Sequence, residues 1–273
     1  MTIAAEMLFW LAAAMYLAGA IHYIRHFARG EGSVFEWNVA ERLATFVFHA
    51  GFLCVLGLLY RQMPLVSAFN LLSLMAFCLA AVHTLLEIRF RTRETGMFFF
   101  GLALLFHLAA YPSLGLRPRP NPLLRNPAFA LHAGAALLGY AGFLVSALNG
   151  AIYLAQYRML KRRRMGLFFS RMPALDLLAA MNLHAMTVGF ACLTFAILSG
   201  LGLSREMGVE RYIADPKTIQ SVAAWGLYAI ALGGRYALGW RGRKQVSMSL
   251  AAFGLTLISV LAARFADSFH RFS

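Results

Sequence analysis

Acidic side chains are scarce in this chain of 273 residues, where 11 Asp and Glu face 25 Lys and Arg. Apart from Glu6 near the N-terminus and Glu87 at the end of an apolar segment, the acids fall between the apolar segments. A proton-coupled transporter places a carboxylate at mid-membrane, so that class is disfavoured. Cysteine is scarcer still. Cys54, Cys78 and Cys192 all lie in apolar stretches with no CxxC pair, and read as small core residues with no redox message. There is no Walker loop, no zinc-binding helix motif, no dinucleotide fingerprint and no nucleophile–base constellation.

The chain is instead apolar: 60% of its residues are hydrophobic, 23 are Phe, and only 13% are charged. A soluble domain of this length cannot hide that much apolar surface, so lipid is its solvent. The net charge of +14 is no footprint of nucleic acid. Its basic residues stand in short clusters between apolar spans, the pattern that sets membrane orientation, and no nucleic-acid partner is expected.

The apolar segments predict an all-α polytopic bundle of eight transmembrane helices, at roughly 5–24, 42–60, 67–88, 97–112, 127–157, 183–203, 219–238 and 245–265. The first, Ala5 to Ile24, is followed by arginines and reads as an anchor, not a cleaved signal. The fourth is short and stops at Pro112, and the fifth opens with Asn126-Pro127, a cap and first-turn pair. With no long polar linker, residues 1–273 read as one membrane domain. Basic clusters follow helices one, three, five and seven, among them Arg25/Arg29/Arg42, Arg89/Arg91/Arg93, Lys161–Arg164 and Arg241/Arg243/Lys244. That alternation puts both termini on the extracytoplasmic side of a bacterial inner membrane. Arg117, Arg119 and Arg125, after helix four, are the dissenting cluster. On helix five, Gly142, Ser146 and Gly150 recur every four residues, a stripe along which another backbone can approach closely.

Eight histidines carry the metal and proton chemistry. His132 stands just inside the outer end of helix five and His270 just past the outer end of helix eight. Two neutral imidazoles facing one cavity would ligate a haem iron from opposite sides. The plain alternative makes His132 an intrabundle hydrogen bonder and His270 a solvated tail residue. His49 and His107 lie at membrane depth in helices two and four, where an ionisable side chain is a candidate ligand or proton carrier. His22, His26, His83 and His184 are expected at inner helix ends, in the interface.

Longer stretches carry a resemblance. Leu131-His132, Leu138-Gly139-Tyr140-Ala141-Gly142-Phe143 and Tyr153-Leu154-Ala155-Gln156 share one helix. They are followed by Asp215-Pro216-Lys217, Gly239-Trp240-Arg241-Gly242-Arg243-Lys244 and Phe269-His270. From about Met7 onward the chain resembles the cytochrome c assembly superfamily, haem-handling membrane proteins of the CcsA type, nearer to its HemX-like and YpjD-like branch. The resemblance implies external haem ligands at His132 and His270, with Tyr212 and Asp215 in the loop that cradles the porphyrin; His49 and His107, from their depth, are the alternative internal ligands. The pattern is incomplete. The family's external loop ends Trp-Asp-Pro-Lys-Glu-Thr-Trp, whereas residues 212–220 keep Asp-Pro-Lys and no tryptophan. An internal family histidine falls at Gly233, and the Asn-x-Tyr-Glu motif reads Ser67-Ala68-Phe69-Asn70.

The expected function is therefore a haem-handling or cytochrome c assembly factor that works with the lipid bilayer and a cytochrome c maturation partner or another membrane protein. It reads as an accessory, not a complete haem lyase. The alternative is a regulatory or scaffold protein that does not bind haem and serves tetrapyrrole synthesis or a metal-ion exporter. A small-solute transporter is the third class.

Overall fold

The computed structural model describes residues 2–29, 35–206, 208 and 214–263, and among them there is no β-strand. Nine α-helices follow in order among these residues: α1 (Thr2–Arg29), α2 (Phe35–Tyr60), α3 (Ala68–Phe90), α4 (Gly96–Ala109), α5 (Pro127–Lys161), α6 (Leu167–Arg171), α7 (Leu175–Glu206), α8 (Pro216–Tyr236) and α9 (Arg243–Ala263). They belong to two compact units that divide at Pro127.

Unit one contains α1 to α4. Helix α1 turns a stripe of Ala5, Phe9, Ala12, Tyr16, Gly19 and Tyr23 inward, at the three-and-four spacing of one helix face. It packs on α2 and α4, while α3 packs on α4. Phe9, Phe52, Leu56 and Tyr60 build the core at one end. There the Tyr60 hydroxyl donates to Ser113 O at 2.5 Å, and Met63 N donates to Leu124 O at 2.9 Å. The expected stop at Pro112 is a change of winding: α4 gives way to a 3₁₀ turn, Tyr111–Gly115, because proline cannot donate the next α-helical bond. Ser67 caps α3 by accepting from Asn70 N at 3.2 Å.

Unit two contains α5 to α9. The Gly142–Gly150 stripe lets α5 lie directly on its neighbours. A Cβ on Gly142 would meet the backbone of Gly189 on α7, and one on Gly150 would meet Val246 and Leu250 on α9. Phe143 stacks on Tyr228 of α8 with ring centroids 3.5 Å apart. Between α8 and α9 the chain turns through Gly239 and Gly242 at φ +66 and +53, angles that glycine adopts without a Cβ penalty. Trp240 folds back onto Gly234, and Lys244 Nζ sits 4.3 Å above the indole.

Among the described residues six segments are long and apolar enough to cross a membrane: Thr2–Arg29, Val39–Tyr60, Ala68–Phe90, Gly96–Gly115, Pro127–Lys161 and Leu175–Glu206. Helices α8 and α9 form where the seventh and eighth spans are expected; α8 falls short of that apolarity, while the sequence from Val246 to Ala263 in α9 carries no charge and is as apolar as the other spans. The polar residues of both helices bind other helices. Gln220 and Ser221 of α8 reach Tyr140, and Gln245 and Ser249 of α9 reach Asn182. Helix α7 starts at Leu175, well before the expected 183, with Asp176 in its first turn where the helix dipole favours an acid. The short α6 was not anticipated. Of the three cysteines only Cys78 is a core residue; Cys192 is half-buried and Cys54 is exposed.

Candidate functional site

His132 lies on the second turn of α5, in unit two. Its Nδ1 is 2.8 Å from the carbonyl oxygen of Ala196 on α7. A carbonyl only accepts, so Nδ1 must carry the proton, and in the neutral ring the lone pair then sits on Nε2. Among the described residues Nε2 makes no hydrogen bond. Metal-binding histidines are commonly oriented in this way, one nitrogen tied to a backbone carbonyl and the other presented to the metal. Nε2 of His132 would thus be free to hold a metal such as a haem iron. Phe129 flanks it, ring centroids 5.9 Å apart. Farther along α5, Tyr140 OH receives Gln220 Nε2 at 2.9 Å, and between α7 and α8 Trp225 donates to Thr194 Oγ1 at 2.8 Å while stacking on Phe190.

Asp215 has a structural task. Its Oδ1 accepts from Lys217 N at 2.9 Å and from Thr218 N at 3.4 Å, capping α8, with Pro216 in the first helical position. His270 and Tyr212 lie outside the described residues.

The internal pair is in unit one. His49 on α2 and His107 on α4 are fully buried, with ring centroids 4.4 Å apart and planes inclined by 58°. His49 Nδ1 is 2.9 Å from the Tyr16 hydroxyl and its Nε2 is 2.9 Å from Ser73 Oγ. Ser73 Oγ is also 3.2 Å from His107 Nδ1, and His107 Nε2 is 3.1 Å from Phe9 O. Phe9 stacks on the His107 ring at 4.4 Å. All four ring nitrogens are thus engaged. Two axial bonds of about 2 Å each would set the nitrogens about 4 Å apart on opposite faces of a porphyrin, with the ring centroids farther apart still. As placed, this pair does not fit a haem.

A second buried cluster of unit one was not anticipated. Glu87 Oε1 lies 2.8 Å from Arg42 Nη1 and 3.5 Å from Arg93 Nε, and Tyr23 OH donates to Oε2 at 2.5 Å. His83, expected in the interface, is buried here with Phe99 stacked 4.2 Å away. Its Nε2 is 3.9 Å from Glu87 Oε2. The signal in the sequence was the His83/Glu87 pair at i, i+4 in an apolar helix. Gly96 makes room for Tyr23, since a Cβ there would run into the phenol ring. Unit two has an uncharged counterpart: Asn182 Nδ2 reaches Ser146 Oγ at 2.8 Å and Ser249 Oγ at 3.0 Å. Among the described residues no three His, Cys, Asp or Glu converge to hold a metal ion.

Residues 65–270 match the sequence pattern of the Cytochrome C assembly protein family. The chain belongs to that family. It is 22% identical to Protein HemX of Brevibacillus brevis over 251 residues, covering 90% of this chain and 91% of HemX. It is 27% identical to the inner membrane protein YpjD of Escherichia coli K12 over 139 residues, 51% of this chain and 52% of YpjD. With the cytochrome c biogenesis protein CcsA of Prochlorococcus marinus (strain CCMP1986) it shares 25% identity over 166 residues, 53% of this chain and 52% of CcsA. The match therefore runs along most of HemX but spans only about half of YpjD and CcsA. His132 falls inside the family-matched segment. Tyr16 and His49 fall outside it.

Proposed function

We propose that this protein is a haem-handling factor of cytochrome c assembly in a bacterial inner membrane, with α8 and α9 as its seventh and eighth spans and both termini extracytoplasmic. In this reading His132 and His270 hold a haem at the extracytoplasmic face. The observation that carries the proposal is the committed tautomer of His132. Ala196 O accepts a hydrogen bond from Nδ1–H, so Nε2 of the neutral ring is left with a lone pair to offer near the helix end. The bound haem would supply the iron chemistry; the chain supplies imidazole ligands, an apolar wall and orientation. Membership in the family and the resemblance to CcsA support the reading.

The decisive measurement is the absorbance spectrum of the detergent-purified protein, as isolated and after adding haem. A Soret band is expected, and His132→Ala with His270→Ala should remove it while the protein stays folded. A full band in the double variant would exclude the external pair as the site. A wild type that neither carries nor takes up haem would overturn the haem reading. That result would leave a HemX-like or YpjD-like regulatory scaffold, a reading favoured by the long HemX match and by the missing tryptophans of residues 212–220.

A further inference from the structure

We propose that the buried circuit Tyr16–His49–Ser73–His107 is an internal proton relay. It takes up one proton at the phenol of Tyr16 and holds it as an imidazolium at His107. This inference is independent of haem binding, and two of the four residues stand outside the family-matched segment.

The argument starts from the far end. Phe9 O can only accept, so the 3.1 Å contact requires a proton on His107 Nε2. In the neutral ring Nδ1 is then an acceptor and Ser73 must donate to it. Ser73 has one hydroxyl proton, so toward His49 it accepts, and His49 Nε2 carries the proton there. His49 Nδ1 is then the acceptor of the Tyr16 O–H. One backbone carbonyl thus fixes the direction of all four bonds and the tautomer of both rings. The circuit visits α1, α2, α3 and α4 and returns to α1, where Phe9 and Tyr16 are two turns apart on one stripe.

Such a chain can shift as a unit. A proton arriving at the Tyr16 oxygen releases the phenolic proton to His49 Nδ1. The His49 Nε2 proton passes to Ser73 Oγ, and the Ser73 hydroxyl proton passes to His107 Nδ1. One proton has been added, each O–H or N–H broken is matched by one formed, and three of the bonds now point the other way. His107 ends with two N–H groups, donating to Phe9 O and Ser73 Oγ, so its charge is hydrogen-bonded on both sides. The Phe9 ring stacked at 4.4 Å is its face partner.

The titratable groups facing His107 are Tyr16 from α1, with ring centroids 5.8 Å away, and His49 from α2. From α3 the facing group is the Ser73 hydroxyl. The next ionisable layer on the α1 stripe is Tyr23 with Glu87, Arg42, Arg93 and His83. Phe100 stands between the layers, 6.0 Å from the Tyr16 ring and 5.1 Å from that of Tyr23.

The test is 15N-histidine NMR on the full-length protein in detergent, with resonances assigned through His49→Gln and His107→Gln. At neutral pH both rings should be protonated on Nε2 alone. On acidification His107 should gain its Nδ1 proton and, at the same midpoint, His49 should exchange its Nε2 proton for one on Nδ1 while staying neutral. Ser73→Ala should abolish this coupled exchange and Ser73→Thr should restore it. Should Ser73→Ala fail to fold, Tyr16→Phe serves instead, because reversal needs the phenol oxygen as an acceptor for His49 Nδ1–H. The relay is overturned if His49 keeps its tautomer while His107 charges, if both rings charge, or if the fold is lost before either changes. It is equally overturned if the coupled exchange survives Ser73→Ala or Tyr16→Phe at an unchanged midpoint.

Discussion

The crossing of α5 and α7 allows a sharp test by adding one methyl group. A Cβ on Gly142 would lie 2.7 Å from Gly189 Cα, 2.8 Å from Gly189 N and 3.0 Å from Ala185 O. All three are backbone atoms, so no side chain can swing away to make space. Ordinary contact begins at 3.4 Å, and Gly142→Ala must therefore push α7 back by about 0.7 Å. The Asn182 Nδ2 to Ser146 O bond, one turn along, is 2.8 Å, as is the His132 to Ala196 bond in the other direction. The same retreat takes either to about 3.5 Å, where hydrogen bonding is largely lost. Overpacking costs about 1–3 kcal/mol, and each weakened hydrogen bond about 0.5–1.5 kcal/mol. Replacing a helical glycine returns up to about 1 kcal/mol. The net expectation is a destabilisation of about 2–4 kcal/mol. Denaturation in detergent should show it against a control on the same helix, Gly134→Ala, whose Cβ meets nothing within 4 Å. The control should be unchanged or more stable by up to about 1 kcal/mol. If the two variants unfold within about 0.5 kcal/mol of each other, the close crossing is not what holds α5 on α7.

Asp215→Ala should cost about 1 kcal/mol through loss of the α8 cap, and Asp215→Asn much less; equal losses, read by denaturation, would point to a role other than capping. Glu87→Gln leaves Arg42 and Arg93 facing a neutral amide and should cost about 3–5 kcal/mol, so a variant that purifies with wild-type stability would mean the cluster is not a stabilising ion pair. Gly96→Ala should push back the Tyr23 ring and, read by denaturation, cost more than Tyr23→Phe and still cost about 1–3 kcal/mol in the Tyr23→Phe background, because the clash is with ring carbons that Phe retains. A cysteine placed at Ser273 should react with an impermeant thiol reagent on intact cells if the termini face outward.

The helices were legible because apolar length is a strong signal, and the Gly142–Ser146–Gly150 stripe announced a close crossing. The ends of the elements were less so. Leu175 to Asn182 carries Asp176 and Asn182 and so reads as a loop, yet it continues α7, because Asn182 spends its amide on Ser146 and Ser249. The same exchange explains why α8 looks too polar for lipid: Gln220 and Ser221 are each satisfied by Tyr140 of another helix. Hydropathy assigns a cost to a polar side chain without seeing its partner.

The histidines show a further limit. Sequence position sorts them by depth, and makes His132, with His270, the external candidate and His49 and His107 the internal ones. What separates them is the partner of a single ring nitrogen. Ala196 O binds His132 at Nδ1 and leaves Nε2 available, while Phe9 O binds His107 at Nε2 and, through Ser73, commits every remaining nitrogen of the internal pair. Both carbonyls belong to residues with no polar side chain, 64 and 98 positions away from the histidines they fix. No residue type encodes such a contact, since every residue carries a carbonyl. Only the packing of α5 on α7 and of α1 on α4 decides which histidine keeps a lone pair to offer and which passes it along a chain.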